Sequence, residues 1–213
     1  MLPNIVLASS SKYRKMLMER LGLSFICVPP NINEMRKDRE SPDSLVRRLS
    51  EEKTRALSKT YTENLIIGSD QVAVLNPAPL NTKKLRSSYA RNPCFKRGVK
   101  FLCKPGTQEK AASQLKAQSG KRVTFLTGIS VLNTTKNLIE TDVIITDVIF
   151  RRLLETEITT YLQKELPYDC AGSLKAEGLG ISLLDAVYSC DPTALIGLPL
   201  IQLSKMLRKN QLN

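Results

Sequence analysis

The stretch LIIGSDQVAVL, residues 65–75, constrains this chain more than any other. Its apolar residues read as a strand buried on both faces, yet Gly68, Ser69, Asp70 and Gln71 interrupt them. Such a strand belongs inside a sheet covered by helices. A carboxylate within it must be hydrogen-bonded, metal-bound or employed in chemistry.

The remaining periodicity supplies both sheet and cover. NIVLA (4–8), SFICV (24–28), VTFLTGISVL (123–132), LIETDVIITDVIF (138–150) and GISLLDAV (180–187) read as strands, the third and fourth joined across NTTKN as a hairpin. Helical spacing runs through KYRKMLMERLG, where Tyr13, Met16, Leu17 and Leu21 share a face. Further helices are expected from Asp43 to Lys59, from Thr107 to Gln118, and over TEITTYLQKEL and LPLIQLSKMLRK. Strands and helices mix without strict alternation. The fold class is α/β, a mixed sheet with flanking helices, and 213 residues make one domain, 1–213.

Composition narrows the chemistry. With no histidine, Ser-His-Asp and Cys-His nucleophile systems and most zinc hydrolase sites are excluded. Five scattered cysteines without a C-x-x-C pair fit neither a disulfide framework nor a zinc site, and suit a reducing compartment. No apolar run approaches the roughly 20 residues that cross a bilayer. No basic segment precedes the first apolar run, so a cytoplasmic protein is expected. What remains is chemistry by carboxylates, Lys, Arg, hydroxyls and a hard metal ion held by oxygens.

The net charge of +12 is uneven. Between Asn76 and Cys103 lie seven Lys and Arg and no Asp or Glu. Residues 76–102 read as a basic insertion and a mobile loop. Its Tyr89, Phe95 and Phe101 among cations also suit contact with RNA or an acidic partner.

Three features look out of place. In SSSKYRK, serines at a helix start are ordinary caps, but Lys12, Arg14 and Lys15 oppose the positive end of the helix dipole. Either they are simply solvated, or a bound phosphate reverses the sign. Lys53 falls inside the apolar stripe Leu45, Val46, Leu49, Ala56, Leu57, where it either snorkels or points at something negative. Asp70 is either a structural acceptor beside Gly68, or a metal ligand or general base. Together with Glu34 it would suit Mg²⁺ beside a bound phosphate.

These residues carry a resemblance. LASSSKYRKMLMERLGLSF, PPNINE, SPDSLVRRLSEEKTRAL, LIIGSDQVAVL, CKPGTQEKAASQL, SGKRVTFLTGISVLN and CAGSLKAEGLGISLLDAVYSCDPTALIGLPL resemble, in order, the Maf family of nucleotide pyrophosphatases. The resemblance implies an elongated Maf/ITPase-like fold of two lobes around a central cleft, usually a homodimer. It implies hydrolysis of a nucleoside triphosphate to monophosphate and pyrophosphate with a divalent metal, Mg²⁺ or Mn²⁺.

By this resemblance Asp70 is the catalytic aspartate and a metal ligand with Glu34. Ser9, Ser11, Arg14, Lys15, Lys53 and Lys104 are the phosphate side. Ser69-Asp70-Gln71 and AGSLKAEG resemble the branch that prefers 7-methyl-GTP, with Tyr13, Gln71 and Glu177 as the specificity positions. Glu177 could accept from the base and complement the charged methylated ring, on which Tyr13 could stack. Other family substrates, UTP or dTTP, and a lapsed enzyme that binds RNA or a partner are the alternatives. Asn33-Glu34, Cys103-Lys104-Pro105 and the insertion depart from the family pattern, which often has Asp-Glu and Gly-Lys-Pro.

Overall fold

The structure is a computed structural model and describes residues 4–75 and 99–212. Seven strands form one sheet: β1 (Asn4–Ala8), β2 (Phe25–Cys27), β3 (Asn64–Leu75), β4 (Lys100–Leu102), β5 (Arg122–Asn133), β6 (Leu138–Phe150) and β7 (Leu184–Ser189). Their order is β2-β1-β3-β5-β6-β7, with β4 also on β3. The helices are α1 (Lys12–Glu19), α2 (Pro42–Leu57), α3 (Gln108–Gln118), α4 (Glu155–Glu165) and α5 (Leu200–Leu212). The fold class is therefore α/β with a mixed sheet and flanking helices, as expected. The chain divides into two compact units.

The first unit comprises Met1–Gln71, Leu126–Ile144 and Asp191–Asn213. β1 lies parallel to both β2 and β3, with Ala8 opposite Gly68. The chain leaves β1 through α1 to β2 on one side, then returns through α2 to β3 on the other. This reversal at the carboxyl end of β1 is a switch point, where open α/β sheets bind ligands. Odd-numbered residues Ile5, Leu7, Leu65 and Ile67 pack with α1 and α5 through Leu17, Met18, Leu203, Met206 and Leu207. Even-numbered Val6, Ala8 and Ile66 pack on the opposite face with Leu57 of α2. Strand alternation thus decides where 69, 70 and 71 point.

The second unit comprises Val72–Phe125 and Ile145–Cys190. β4 pairs antiparallel with the end of β3, Ala73 opposite Leu102, and β7 pairs antiparallel with β6, Thr146 opposite Ser189. Buried Ala111 and Leu115 of α3 and Ile158, Tyr161 and Leu162 of α4 build the helical layer.

Three expectations need correcting. Within 180–187 only the second half is strand. Leu179–Leu183 is a 3-10 turn, because Gly178 and Gly180 both donate their N–H to the Lys175 carbonyl and bend the chain first. The expected loop 76–102 lies outside the described residues for 76–98, and its last three residues, Lys100–Leu102, are a strand on β3. On α1 Met16 is exposed, and Leu17 and Met18 carry the buried face.

Candidate functional site

Asp70 points to the α2 face, and α2 is built to meet it. Ser41 caps the helix through the Ser44 N–H, with Pro42 in its first turn. At Gly68 an added Cβ would stand 2.3 Å from the Ser50 carbonyl oxygen and 3.2 Å from Lys53 Cβ. Only glycine admits the helix this close. Lys53 is thereby 3% exposed, and its ammonium donates to Asp70 Oδ1 at 2.7 Å. It also lies 2.8 Å from Glu34 Oε1 and 3.4 Å from the Ser69 carbonyl. Three acceptors surround one buried –NH₃⁺, so the inward lysine of the sequence does not snorkel. It joins two carboxylates 36 residues apart (70 − 34).

The loop bearing Glu34 is fixed from beside it. Arg48 makes a two-pronged pair with Glu40, Nε to Oε1 at 2.6 Å and Nη2 to Oε2 at 2.9 Å, and donates to the Met35 carbonyl at 3.1 Å. That fork holds Arg48 well above its usual range and Glu40 below its own. Sequence reading gave Arg48 no role. An arginine eight residues after a glutamate, across a helix start, is a signal too generic to find it.

Ser69 and Gln71 face the other side, toward the turn Pro192–Ile196. Ser69 Oγ donates to the carbonyls of Gly128 (2.8 Å) and Gly197 (2.9 Å). Gln71 Nε2 donates to Ala194 O, Leu195 O and Thr127 Oγ. The turn itself hangs on buried Asp191, which accepts from Thr193 and from the Ile201 and Gln202 N–H groups at the start of α5. Gln71 has thus committed its amide hydrogens to the protein, leaving only its oxygen to offer a substrate.

The three cations at the start of α1 go separate ways. Ser11 caps the helix by accepting from the Arg14 N–H, and Ser9 Oγ accepts from the Ser11 N–H. Arg14 Nε donates to the Gly197 carbonyl at 2.9 Å. Burial lowers the affinity of its guanidinium for a proton, and the fields of Asp70 and Glu34 oppose this. Lys12 sits 5.0 Å from the Tyr13 ring centroid. Lys15 is exposed and pairs with Glu19 at 3.9 Å. Ser9, Ser11, Arg14, Lys53, Asp70 and Glu34 therefore gather at the end of β1, whereas Lys15 has its ion pair elsewhere on α1.

Lys104 and Glu177 belong to the second unit. Lys104 is exposed, two residues beyond β4. Glu177 is half-buried, and its Oε1 has no hydrogen-bond partner among the described residues. Desolvation pushes its carboxyl up from the usual range, opposed by a hydrogen bond from its own backbone N–H and then by the field of Lys175.

Among the described residues no cluster of three or more His, Cys, Asp or Glu could enclose a metal. Glu34 and Asp70, the two carboxylates expected to hold a metal, share the Lys53 ammonium, Glu34 Oε1 at 2.8 Å and Asp70 Oδ1 at 2.7 Å.

Fold and site together define an α/β protein with a helix N-terminus, a half-buried arginine and a Lys–Asp–Glu cluster at a switch point, a constellation suited to phosphate chemistry. Residues 4–210 match the Maf-like protein family, and the chain belongs to it. A 7-methyl-GTP pyrophosphatase of Pseudomonas syringae pv. tomato is 45% identical over 208 residues, covering 98% of this chain and 97% of that protein. One of Pseudomonas fluorescens is 47% identical, covering 97% and 96%. Among solved structures, a HAM1 protein from Coxiella burnetii aligns with a TM-score of 0.41 and 17% identity, covering 72% of this chain and 75% of that one.

Proposed function

We propose that this chain hydrolyses 7-methyl-GTP to 7-methyl-GMP and pyrophosphate. The observation that carries the reading is the Lys53–Asp70–Glu34 cluster beside the capped start of α1. The names of the full-length relatives support the substrate.

In this reading Asp70 orients a water and takes its proton as the oxygen adds to the α-phosphorus, and the bond to the α–β bridging oxygen breaks. Lys53 keeps Asp70 and Glu34 in register. With its three acceptors satisfied, it acts as a positioning group rather than as a free phosphate ligand. Arg14, held by its Nε, has its terminal nitrogens to meet phosphate oxygens, alongside the Ser9 and Ser11 hydroxyls. Lys104 and Lys15 are further cations for the triphosphate. Glu34 and Asp70 would hold the divalent metal, which when bound neutralises charge on the phosphates. Glu177 reads the base: a carboxylate accepts from the N1–H and amino group of guanine, and its charge complements the cationic methylated ring. Tyr13 stacks on that ring, and Gln71 shapes the site through the 194–195 carbonyls.

The resemblance supports a homodimer, which light scattering on the purified protein would measure. Among the described residues no helix is long and apolar enough to cross a membrane, and Cys27, Cys103 and Cys190 are free thiols, which suits a cytoplasmic enzyme. Nucleic-acid contact would rest on residues 76–98, outside the described ones.

The test is pyrophosphate release with Mg²⁺ from 7-methyl-GTP, GTP, UTP, dTTP and CTP, with Asp70→Asn as control. Preference for 7-methyl-GTP, with turnover falling about 10²–10⁴-fold in the variant, is expected. Preference for UTP or dTTP would retain the reaction and remove the substrate. Unimpaired turnover by Asp70→Asn would remove the base.

A further inference from the structure

The loop that carries Glu177 is clamped at two points by a single helix. Tyr161 and Glu165 lie four residues apart on α4 and so share one face. The buried Tyr161 hydroxyl donates to the Ser173 carbonyl at 3.0 Å and accepts from the Lys175 N–H at 2.9 Å, bracketing Leu174. Burial pushes this phenol far up, so it stays a neutral donor. One turn on, Glu165 Oε1 accepts from the Leu179 N–H at 2.7 Å, and Oε2 pairs with Lys175 Nζ at 2.5 Å. The carboxylate passes so near Gly178 that an added Cβ would stand 2.5 Å from Oε1. Position 178 has to lack a side chain for this clamp to close.

The pairing of Lys175 has a consequence for its neighbour two residues on. Lys175 and Glu177 feel one another's charge, yet the described residues form no ion pair to Glu177, and its buried Oε1 is unpartnered. Lys175, the cation whose field acts on that carboxylate, is held by Glu165 instead.

We propose that Glu165 and Tyr161 are positioning residues for base selection: they fix the 173–179 loop and tie up Lys175, so that the Glu177 carboxylate stays free for a cationic base. A Glu177 already paired with a lysine would gain little from a positively charged ring and would lose its advantage for methylated over unmethylated guanine. The inference rests on Glu177 as base reader.

The experiment measures kcat/KM for 7-methyl-GTP and for GTP in wild-type protein, Glu165→Gln, Tyr161→Phe, Glu177→Gln and the double variant Glu165→Gln/Lys175→Met, each checked for folding by thermal unfolding. Glu165→Gln frees Lys175 to reach Glu177. The 7-methyl-GTP:GTP ratio is expected to fall about tenfold, the scale of one charge-assisted contact, mainly through KM. Removing Lys175 as well should restore most of the ratio, which a purely structural role for Glu165 would not do. Tyr161→Phe should lower the ratio as well. A folded Glu165→Gln with the wild-type ratio, or a double variant no better than the single, overturns the proposal. If Glu177→Gln lowers the ratio and Glu165→Gln does not, only the clamp falls. If Glu177→Gln leaves the ratio unchanged, the base reader falls and takes the clamp with it.

Discussion

Replacing Gly68 by alanine tests whether the close approach of α2 makes the site. The new methyl would sit 2.3 Å from the Ser50 carbonyl oxygen, 2.9 Å from Thr54 Cγ2 and 3.2 Å from Lys53 Cβ. Ordinary contact begins at 3.4 Å, so the backbone at Ser50 must retreat by about 1.1 Å (3.4 − 2.3). Trimming Thr54 cannot relieve this, because the obstacle is a main-chain oxygen. Lys53 stands one turn along the same helix and moves with it. A matching extension of its 2.7 Å bond to Asp70 passes the ~3.6 Å beyond which a side-chain hydrogen bond no longer exists. Overpacking of this kind costs about 1–3 kcal/mol, which for a chain of this size lowers the melting temperature by roughly 2–12 °C. Misplacing a reacting group by about 1 Å costs on the order of 10² in rate. The assay pairs thermal unfolding with pyrophosphate release from 7-methyl-GTP. A folded Gly68→Ala protein with kcat near wild type would show that turnover does not depend on the Lys53–Asp70 geometry, and the reasoning would fail.

Lys53→Met leaves the Asp70 carboxylate buried without its ammonium. Discounting Glu34, whose side chain is 52% exposed, urea unfolding should register a loss of about 3 kcal/mol, and an unchanged midpoint would refute the buried pair. Ser69→Ala strips a donor from the Gly128 and Gly197 carbonyls. About 1–3 kcal/mol of stability should go, with KM rising more than kcat falls because the anchor of Arg14 loosens. For Glu177 the folded carboxyl is raised above its ordinary 4.5, so its proton stabilises the fold. That contribution is full at pH below 4.5 and is lost as pH rises through the higher folded value. Glu177→Gln should therefore melt higher than wild type at pH 7, with the gap closing toward pH 4. Selectivity for 7-methyl-GTP in wild type should rise over the same window, where Lys175, Glu165 and Asp169 are the charged neighbours, and it should be flat with pH in the variant.

The residues that declared themselves in the sequence did so by breaking a pattern. Asp70 interrupts an apolar strand and Lys53 an apolar helical stripe, and each anomaly is the other's explanation at 2.7 Å. Period alone placed the strands and helices to within a few residues. It failed over Leu179–Leu183, where backbone bonds from two glycines to one carbonyl override an apolar run that reads as strand. Gln71 was legible as an unusual residue but not as a donor to the 194–195 carbonyls, since nothing local says that a turn 123 residues later lies against it. Arg48, Tyr161 and Glu165 were invisible for a related reason. They carry ordinary side chains on ordinary helices, and their importance is in what the fold brings opposite them.

The short turn before α5 gives the site an unusual kind of foundation. Thr127 and Gln71 donate to the Ala194 carbonyl, Gln71 also to that of Leu195, and Ser69 and Arg14 both to that of Gly197. None of those acceptors is a side chain. Four side chains from three separate elements are moored to main-chain oxygens, whose direction is set by Gly197, at φ +120°, and by the buried Ala194 and Leu195. Anything that shifts the main chain there, a side chain at Gly197 included, would disturb all four moorings at once. The grip on the site therefore lies in carbonyl oxygens, and residues 194–197 serve it by fixing where those oxygens point.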